Sequence, residues 1–438
     1  MKTYIYIAVL FLSSLYSINT LVVRFFTESI IIGAISAIII SSTLFFALKK
    51  QIKLLHKVEV VHFIGILCFS VLITIPLIHK MDEENDLEKR TPAPFPEFHL
   101  SNVWTFPKGL KAYFNDAFAF RKVLIHQHVQ LQTDVFGVSS NPGSVNFGEE
   151  GWLFYTPHTY IKQTSKVLTE EELDKIVSNI LLKKKFLNDQ GIKFYLTIPP
   201  IKGQFYKEHL PHRFTQLLKH SILEQLTEHL KKYPEIIFID LNKVLKKHKP
   251  ETKLYYETDT HWNRLAAFYA YQEIMKRIQL DFPELDYLEK DEMLIEKHSA
   301  KGGDLNSFLG DYNLFTRTVY EMSPKKGFKS FEIVPDSVLA EITYVGTSLV
   351  MTKNKNVKSK LKLCIFRDSF TDHLQPFFSE SFSRAAFPWQ KDINITFVNH
   401  EKPDIVVHEI LERYIYMMID RGTEFSAYHQ MLKEGTIK

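Results

Sequence analysis

The sequence predicts an α/β protein: a three-layer α/β/α domain built on a parallel sheet and preceded by three transmembrane helices. Three observations predict it. Short apolar, strand-like runs alternate with stretches whose apolar residues recur at helical spacing, the pattern of a parallel sheet covered by helices on both faces. Three apolar runs open the chain, Tyr4 to Val23, Ile30 to Leu48 and Val58 to Ile78, each about long enough to cross a bilayer core of roughly 30 Å. A buried-strand pattern, Leu361 to Phe366, runs straight into Arg367, Asp368 and Ser369, and a helical pattern follows.

The apolar runs come first in the chain. A cleaved signal peptide accounts for only the first of them, so three retained spans are expected. Lys49, Lys50, Lys53 and Lys57 crowd the link between the second and third runs, whereas the first link offers only Arg24 beside Glu28. The Lys-rich link is therefore expected to be cytoplasmic, which places everything after about His79 on the outer side. Asp82, Glu83, Glu84 and Asp86 begin a solvated stalk, and Pro92-Ala-Pro-Phe-Pro96 extends it in polyproline-like geometry. The resulting organisation is a membrane anchor over 1–80, an extracytoplasmic linker over 81–105 and a catalytic domain over 106–438. A multi-pass protein of the cell (inner) membrane follows, its catalytic domain periplasmic.

Within the domain, Phe106 to Gly137 shows an aromatic-rich helical pattern with Tyr113, Phe114, Phe118 and Phe120 as core candidates. Gly151 to Tyr155 reads as the first strand. Thr169 and Glu172 form a capping box for a helix carrying Leu173, Ile176, Ile180 and Leu181, and Gly191 ends it. Ile192 to Ile198 is the next strand. A helix carrying Leu217, Leu218, Ile222, Leu226 and Leu230 stops near Pro234, and Ile236 to Ile239 is strand again. Leu361 to Phe366, Ile393 to Val398 and Asp404 to Val407 supply further strands, while Lys276 to Val357 reads as a loop-rich insertion holding Gly302, Gly303 and Asp304.

Composition narrows the function classes. The net charge of +4 includes a local Lys cluster and gives no nucleic-acid footprint. The two cysteines, Cys68 and Cys364, lie in separate apolar runs; both are expected to be buried and no disulfide is predicted. No Cys/His spacing marks a zinc site, and no cofactor is expected.

Chemistry concentrates in Tyr255-Tyr-Glu-Thr-Asp-Thr-His-Trp-Asn263. On extended backbone Asp259 and His261 face one pocket while Thr260 faces elsewhere, and Asn263 suits a helix cap. A carboxylate beside an imidazole fixes its tautomer, which a general base serving a hydroxyl nucleophile requires. Ser369 supplies that hydroxyl, placed where a strand gives way to a helix whose N–H groups can stabilise an oxyanion. Against these stand the structural alternatives: an incidental Asp-x-His, and a serine that merely caps a helix. A metal site using Asp259, His261 and His373 or His408 is a third alternative.

The strings Tyr255 to Asn263, Phe366-Arg-Asp-Ser-Phe370 and Lys402-Pro-Asp-Ile-Val-Val-His-Glu-Ile-Leu-Glu-Arg413, in this order, resemble the AlgX/AlgJ-related family of SGNH-hydrolase-like proteins. Gly151-Trp-Leu-Phe-Tyr155 and Gly302-Gly-Asp304 fit its pattern, and the resemblance spans nearly all of residues 95 to 420. It implies the SGNH α/β fold and O-acetylation of an exported or cell-surface polysaccharide such as alginate, with Ser369 as nucleophile, His261 as base and Asp259 as its orienter. Arg367, Asp368, Tyr256, Trp262, Gly303 and Asp304 are candidates for holding substrate or oxyanion. Implied partners are the polysaccharide acceptor and a separate multi-span membrane acyltransferase delivering the acyl group. Two departures stand out: Arg367 replaces the glycine of the common Gly-Asp-Ser string, and Gly346-Thr-Ser348 resembles the nucleophile string of the alginate enzymes. Ser348 is followed by a polar loop instead of an amphipathic helix, so Ser369 is preferred. The alternatives are a carbohydrate esterase or deacetylase, and a catalytically inert glycan-binding subunit of an export complex.

Overall fold

The computed structural model describes residues 93–117, 121–342, 348–420 and 423–434. The three apolar runs lie outside these residues, and among the described residues no helix is long and apolar enough to cross a membrane. The chain divides into two compact units, Met1–His128 and Val129–Lys438. In the first, helix α1 (Phe106–Ala117) carries Tyr113, whose ring meets Phe95 edge-on at 5.1 Å. Phe118 and Phe120 lie outside the described residues.

The second unit is built on a seven-stranded sheet of order β4-β3-β11-β9-β10-β8-β7. Its strands are β3 (Lys193–Thr197), β4 (Phe238–Ile239), β7 (Phe331–Glu332), β8 (Leu349–Lys353), β9 (Lys362–Phe366), β10 (Arg384–Pro388) and β11 (Ile405–Glu409). From β4 to β10 the neighbours pair in parallel, whereas β8 is antiparallel to both β10 and β7. The sheet is thus mixed where the sequence predicts a parallel one. The cause is the link over residues 354–361, which holds no helix and is too short for the crossover that parallel pairing demands.

Period-two alternation sorts the sheet into two cores. Leu363 and Ile365 of β9, with Ile405 and Val407 of β11, enter one apolar cluster together with helices α5 (Arg264–Gln279) and α7 (Gln375–Ser381). Cys364, Phe366 and Val406 enter the opposite cluster with α2 (Glu170–Asn188), α3 (Ile222–Leu230) and α8 (Ile395–Glu401). This is the expected α/β/α layering. Local signals place several of these helices as read: Thr169 and Glu172 close a capping box on α2, and Asn263 accepts the Ala266 N–H at 3.0 Å at the start of α5. Two further helices, α4 (Leu241–His248) and α6 (Asp304–Leu309), lie between these landmarks.

Three expectations are corrected, and one strand is added. Gly151 to Tyr155 does not join the main sheet; β2 (Leu153–Tyr155) pairs with β1 (Val145–Phe147) as a separate hairpin. Ile393 to Val398 is not a strand. The Asn394 side chain accepts the Phe397 N–H at 2.9 Å and starts helix α8 there, so capping overrides the β-branched run. The strand of this region is β10, whose Ala385 and Ala386 have little strand propensity but are fully buried between two packed layers. Finally, the insertion contains a long regular hairpin, β5 (Met293–Lys301) on β6 (Thr316–Pro324), paired over nine positions. Its mostly exposed β5 lacks the apolar alternation by which strands are read.

Candidate functional site

Parallel strands end together, and the segments after β3, β9 and β11 converge at the carboxyl edge of the sheet. Beyond β9 the chain turns through Arg367 and Asp368 into a short 3-10 turn, Ser369–His373, with α7 following. Pro376 lies in the first turn of α7, where its missing N–H costs nothing. The turn is fixed from β11. Glu409 Oε2 accepts the Asp368 N–H at 3.0 Å and the Thr371 hydroxyl at 2.9 Å. The Asp368 carboxylate accepts the N–H groups of Phe370 at 3.0 Å and Leu411 at 2.9 Å. Burial raises the pKa of both acids, most strongly that of Glu409, where the Asp368 charge adds to it.

The second element, Tyr255 to Asn263, is not an extended strand. A Tyr255–Trp262 bridge closes it into a loop, and the His261 N–H donates to Asp259 Oδ1 at 3.0 Å, so a local turn rather than strand alternation faces the two side chains together. Thr260 points its hydroxyl and its N–H at Asp304 instead. Trp262 is fully buried and donates Nε1–H to the Phe370 carbonyl at 3.0 Å, tying this loop to the Ser369 turn. Gly303 is required by close approach: at φ +115° a Cβ there would lie 2.1 Å from the Thr258 carbonyl oxygen.

The two elements bring Ser369, His261 and Asp259 into one line. His261 Nε2 is 2.7 Å from Ser369 Oγ, and Nδ1 is 2.7 Å from Asp259 Oδ1. An ionised carboxylate can only accept, so Nδ1 carries the proton and Nε2 is free to take one from the serine. Asp259 Oδ2 accepts from Arg317 of β6 at 2.8 Å and from the Asp304 N–H at 3.1 Å. Burial works to raise the Asp259 pKa, but the hydrogen bond and charge of His261 and then the charge of Arg317 outweigh it, holding the carboxyl well below its ordinary value. Burial likewise opposes the imidazolium, yet the bond and charge of Asp259, followed by the charges of Asp304 and Asp368, raise the His261 pKa above 6.5. The imidazole is thus a stronger base than a free histidine.

The remaining candidates separate by what they touch. Asp304 stands 3.7 Å from His261 Nδ1, and its own pKa is raised, by burial and then by the Asp259 charge. Tyr256 lies under the Arg317 guanidinium, 4.2 Å from ring centre to the charge. Arg367 is buried and committed to the Asp368 carbonyl at 3.2 Å, to Asp372 and to the face of Trp389. It therefore braces the turn in the glycine's place. Ser348 is exposed at the head of β8, two strands from β9 and so about 10 Å away along the same edge. Asp259, His261 and Asp304 present ligand-type atoms within 4.8 Å of one another. Arg317 and Lys202 already supply positive charge to these carboxylates, and His408 is held in β11 against the Lys391 carbonyl at 3.2 Å. A cation has little to gain there.

A narrow pocket opens beside His261, lined among others by Tyr155, Tyr160, Lys202, Phe370 and Arg413. Sequence reasoning missed Lys202, Arg317 and Glu409. Arg317 lay in an insertion without helix or strand signal, whereas Glu409 and Arg413 lay inside a string already singled out. Glu412 from the same string accepts the Ile201 N–H at 2.9 Å and the Ser221 hydroxyl at 2.6 Å, seating the segment that carries Lys202. Burial raises its pKa to about 7.

A three-layer sandwich with a Ser–His–Asp line at its carboxyl edge, the Asp-x-His element preceding the serine in sequence, defines an SGNH-hydrolase-like α/β domain. Just over half of the chain, residues 145–368, matches the model of the SGNH hydrolase-like domain of the acetyltransferase AlgX, and the chain belongs to that family. It is 23% identical over 332 residues to a probable alginate O-acetylase AlgJ of Pseudomonas syringae pv. tomato, covering 74% of this chain and 81% of that one. With the AlgJ of Pseudomonas aeruginosa it shares 22% identity, covering 71% and 80%. Among solved structures, Bacillus cereus PatB1 is similar with a TM-score of 0.47 and 17% identity over 61% of this chain and 95% of that one. The O-acetyltransferase domain of Pseudomonas putida AlgJ gives 0.41 and 17% over 63% and 92%.

Proposed function

We propose that this protein is an O-acetyltransferase that transfers an acyl group, acetyl by family, to a hydroxyl of an exported or cell-surface polysaccharide through a serine acyl-enzyme. One observation carries the reading: the unbroken hydrogen-bonded line from Ser369 Oγ through both nitrogens of His261 to Asp259, 2.7 Å at each step. Ser369 Oγ attacks the acyl carbonyl carbon while His261 Nε2 takes the serine proton, and Asp259 stabilises the imidazolium. The Phe370 N–H is committed to Asp368, which leaves the Ser369 N–H as the backbone donor assigned to the oxyanion. As the tetrahedral intermediate collapses, His261 returns the proton to the leaving group and the acyl group stays on the serine. A sugar hydroxyl then gives its proton to His261 and attacks the same carbon, and the serine is released protonated.

The donor is supplied by a separate multi-span membrane acyltransferase, and the three amino-terminal apolar runs anchor the domain on the extracytoplasmic side. The Lys49 to Lys57 link carries that orientation. Single-cysteine labelling in intact cells tests it: an impermeant reagent is expected to reach the outer domain and to miss the Lys-rich link.

The activity is tested by incubating the full-length chain with a chromogenic acetyl ester and candidate oligosaccharides and weighing the products. Acetyl is expected on the glycan faster than free acetate appears, because a positioned hydroxyl outcompetes bulk water. Ser369→Ala and His261→Ala are each expected to abolish turnover, and Ser348→Ala to stay within about twofold of the parent, since substitutions outside the reacting group cost little. Free acetate alone identifies an esterase. Activity that survives Ser369→Ala but not Ser348→Ala overturns the nucleophile assignment, and inactivity of the parent chain leaves the glycan-binding subunit.

A further inference from the structure

We propose that Lys202 is a positioning residue, its ammonium acting as the clamp that keeps the Asp259–His261 loop in register with Ser369. The proposal rests on the Ser369–His261–Asp259 reading above and deepens it.

Lys202 enters the unit just beyond β3, is 4% exposed, and directs Nζ at three main-chain carbonyls of one loop: Tyr256 at 3.0 Å, Glu257 at 3.1 Å and Asp259 at 2.7 Å. An ammonium has three N–H donors and no acceptor. Here all three donors are used on the segment that presents the orienting carboxylate. One cation thus bridges three carbonyls within four residues of the loop. Of the three, the Glu257 carbonyl also accepts the Leu153 N–H of β2 at 2.9 Å, whereas among the described residues no backbone donor reaches the Tyr256 and Asp259 carbonyls, which rest on Lys202. On the other side Nζ faces the rings of Trp152 at 5.5 Å and Phe154 at 5.3 Å, which gives a purpose to the aromatic string that forms β2.

The surroundings make the clamp sensitive to its charge. Burial pushes the Lys202 pKa down to about 7, partly offset by the carboxylates of Asp304, Asp259 and Glu257, while Arg317 adds to the lowering. Lys253 stands over the Trp152 ring, and His261, Tyr155, Tyr160 and Arg413 line the same pocket. A neutral amine donates only twice and turns its lone pair toward the third carbonyl, which loosens the loop. Activity therefore has two limbs. It rises as His261 loses its proton and falls as Lys202 loses its own.

The test uses the full-length chain and a serine-reactive sulfonyl fluoride, phenylmethanesulfonyl fluoride. Ser369 Oγ displaces fluoride, His261 takes the serine proton, and the sulfonate ester is read by peptide mass. This readout needs no glycan. Expected results are an alkaline limb near neutral pH in the parent chain, a labelling rate at least about 100-fold lower in Lys202→Met, and partial recovery in Lys202→Arg with the alkaline limb removed, because a guanidinium does not titrate in this range. For acetyl transfer, Lys202→Met is expected to lower kcat with KM within about twofold, since a misplaced base spares ground-state binding. If the parent is labelled, and shows no alkaline limb between about pH 6 and 9, where an unperturbed lysine stays charged, the proposal is overturned. The same follows if Lys202→Met is labelled like the parent. Should Lys202→Met fail to fold, the parent's limb and the Lys202→Arg profile decide. No Ser369 labelling in the parent overturns the nucleophile reading itself, which separates the two failures.

Discussion

The turn bearing Ser369 follows directly from β9 and is fixed by the neighbouring strand, through Glu409 and Leu411. The loop bearing Asp259 and His261 is shaped by groups from distant segments: Lys202 after β3, Gly303 and Asp304 at the start of α6, and Arg317 on β6. A nucleophile can thus be set by one strand and its neighbour, because only its exposure and backbone matter. A carboxylate that orients a base must be kept ionised and aligned with it under the cover of the protein, which takes charges and contacts from several directions.

The largest way to break the comparison is Asp259→Asn. The amide keeps the shape but offers Nδ1 the wrong partner, and kcat is expected to fall about ten-thousand-fold, the loss found for the equivalent change in a serine protease. The pH profile sharpens it. His261 acts as a base only when neutral, so its raised pKa moves the acid limb of kcat to higher pH than a free histidine gives; without the Asp259 charge that limb moves to lower pH. A limb that stays in place in the variant excludes Asp259 as the group that raises it.

Next in size is Gly303→Ala. The added Cβ meets the Thr258 carbonyl in a left-handed backbone, and a loss of about 2 to 4 kcal/mol in urea-unfolding free energy is expected. A midpoint unchanged from the parent shows that the loop can yield there. The nucleophile side predicts less. Glu409 is buried and its pKa is raised well above the ordinary value, which favours the protonated acid, and Glu409→Gln retains an oxygen for the Asp368 N–H and the Thr371 hydroxyl. That change is expected to cost under about 1 kcal/mol, against about 2 kcal/mol for Glu409→Ala, which orphans both donors. Equal losses in the two variants mean that Glu409 is ionised.

The same contrast explains what the sequence disclosed. The apolar run Leu361 to Phe366 ends at Ser369 because strand burial is a local pattern, and the Asn263 cap and the Thr169 box are local as well. Asp259 and His261 were readable as a pair because one residue separates them, although a turn, not an extended strand, aligns them. Lys202 and Arg317 were not readable. One lies in a stretch that looks like any loop start, the other in a hairpin with an exposed face, and each acquires its role from a partner more than fifty residues away. Ala385 and Ala386 were missed as strand for a related reason: their fit depends on layers the chain supplies elsewhere.

The carboxyl-terminal string has a consequence for how the molecule is made. Glu409 holds the nucleophile turn, and Glu412 seats the Ile201 segment next to Lys202, while β11 itself lies between β3 and β9. A growing chain that has already produced Asp259, His261 and Ser369 therefore holds every reacting group and no working site. A truncation ahead of β11 is therefore expected to abolish Ser369 labelling instead of weakening it, since it removes both Glu409 and the strand between β3 and β9.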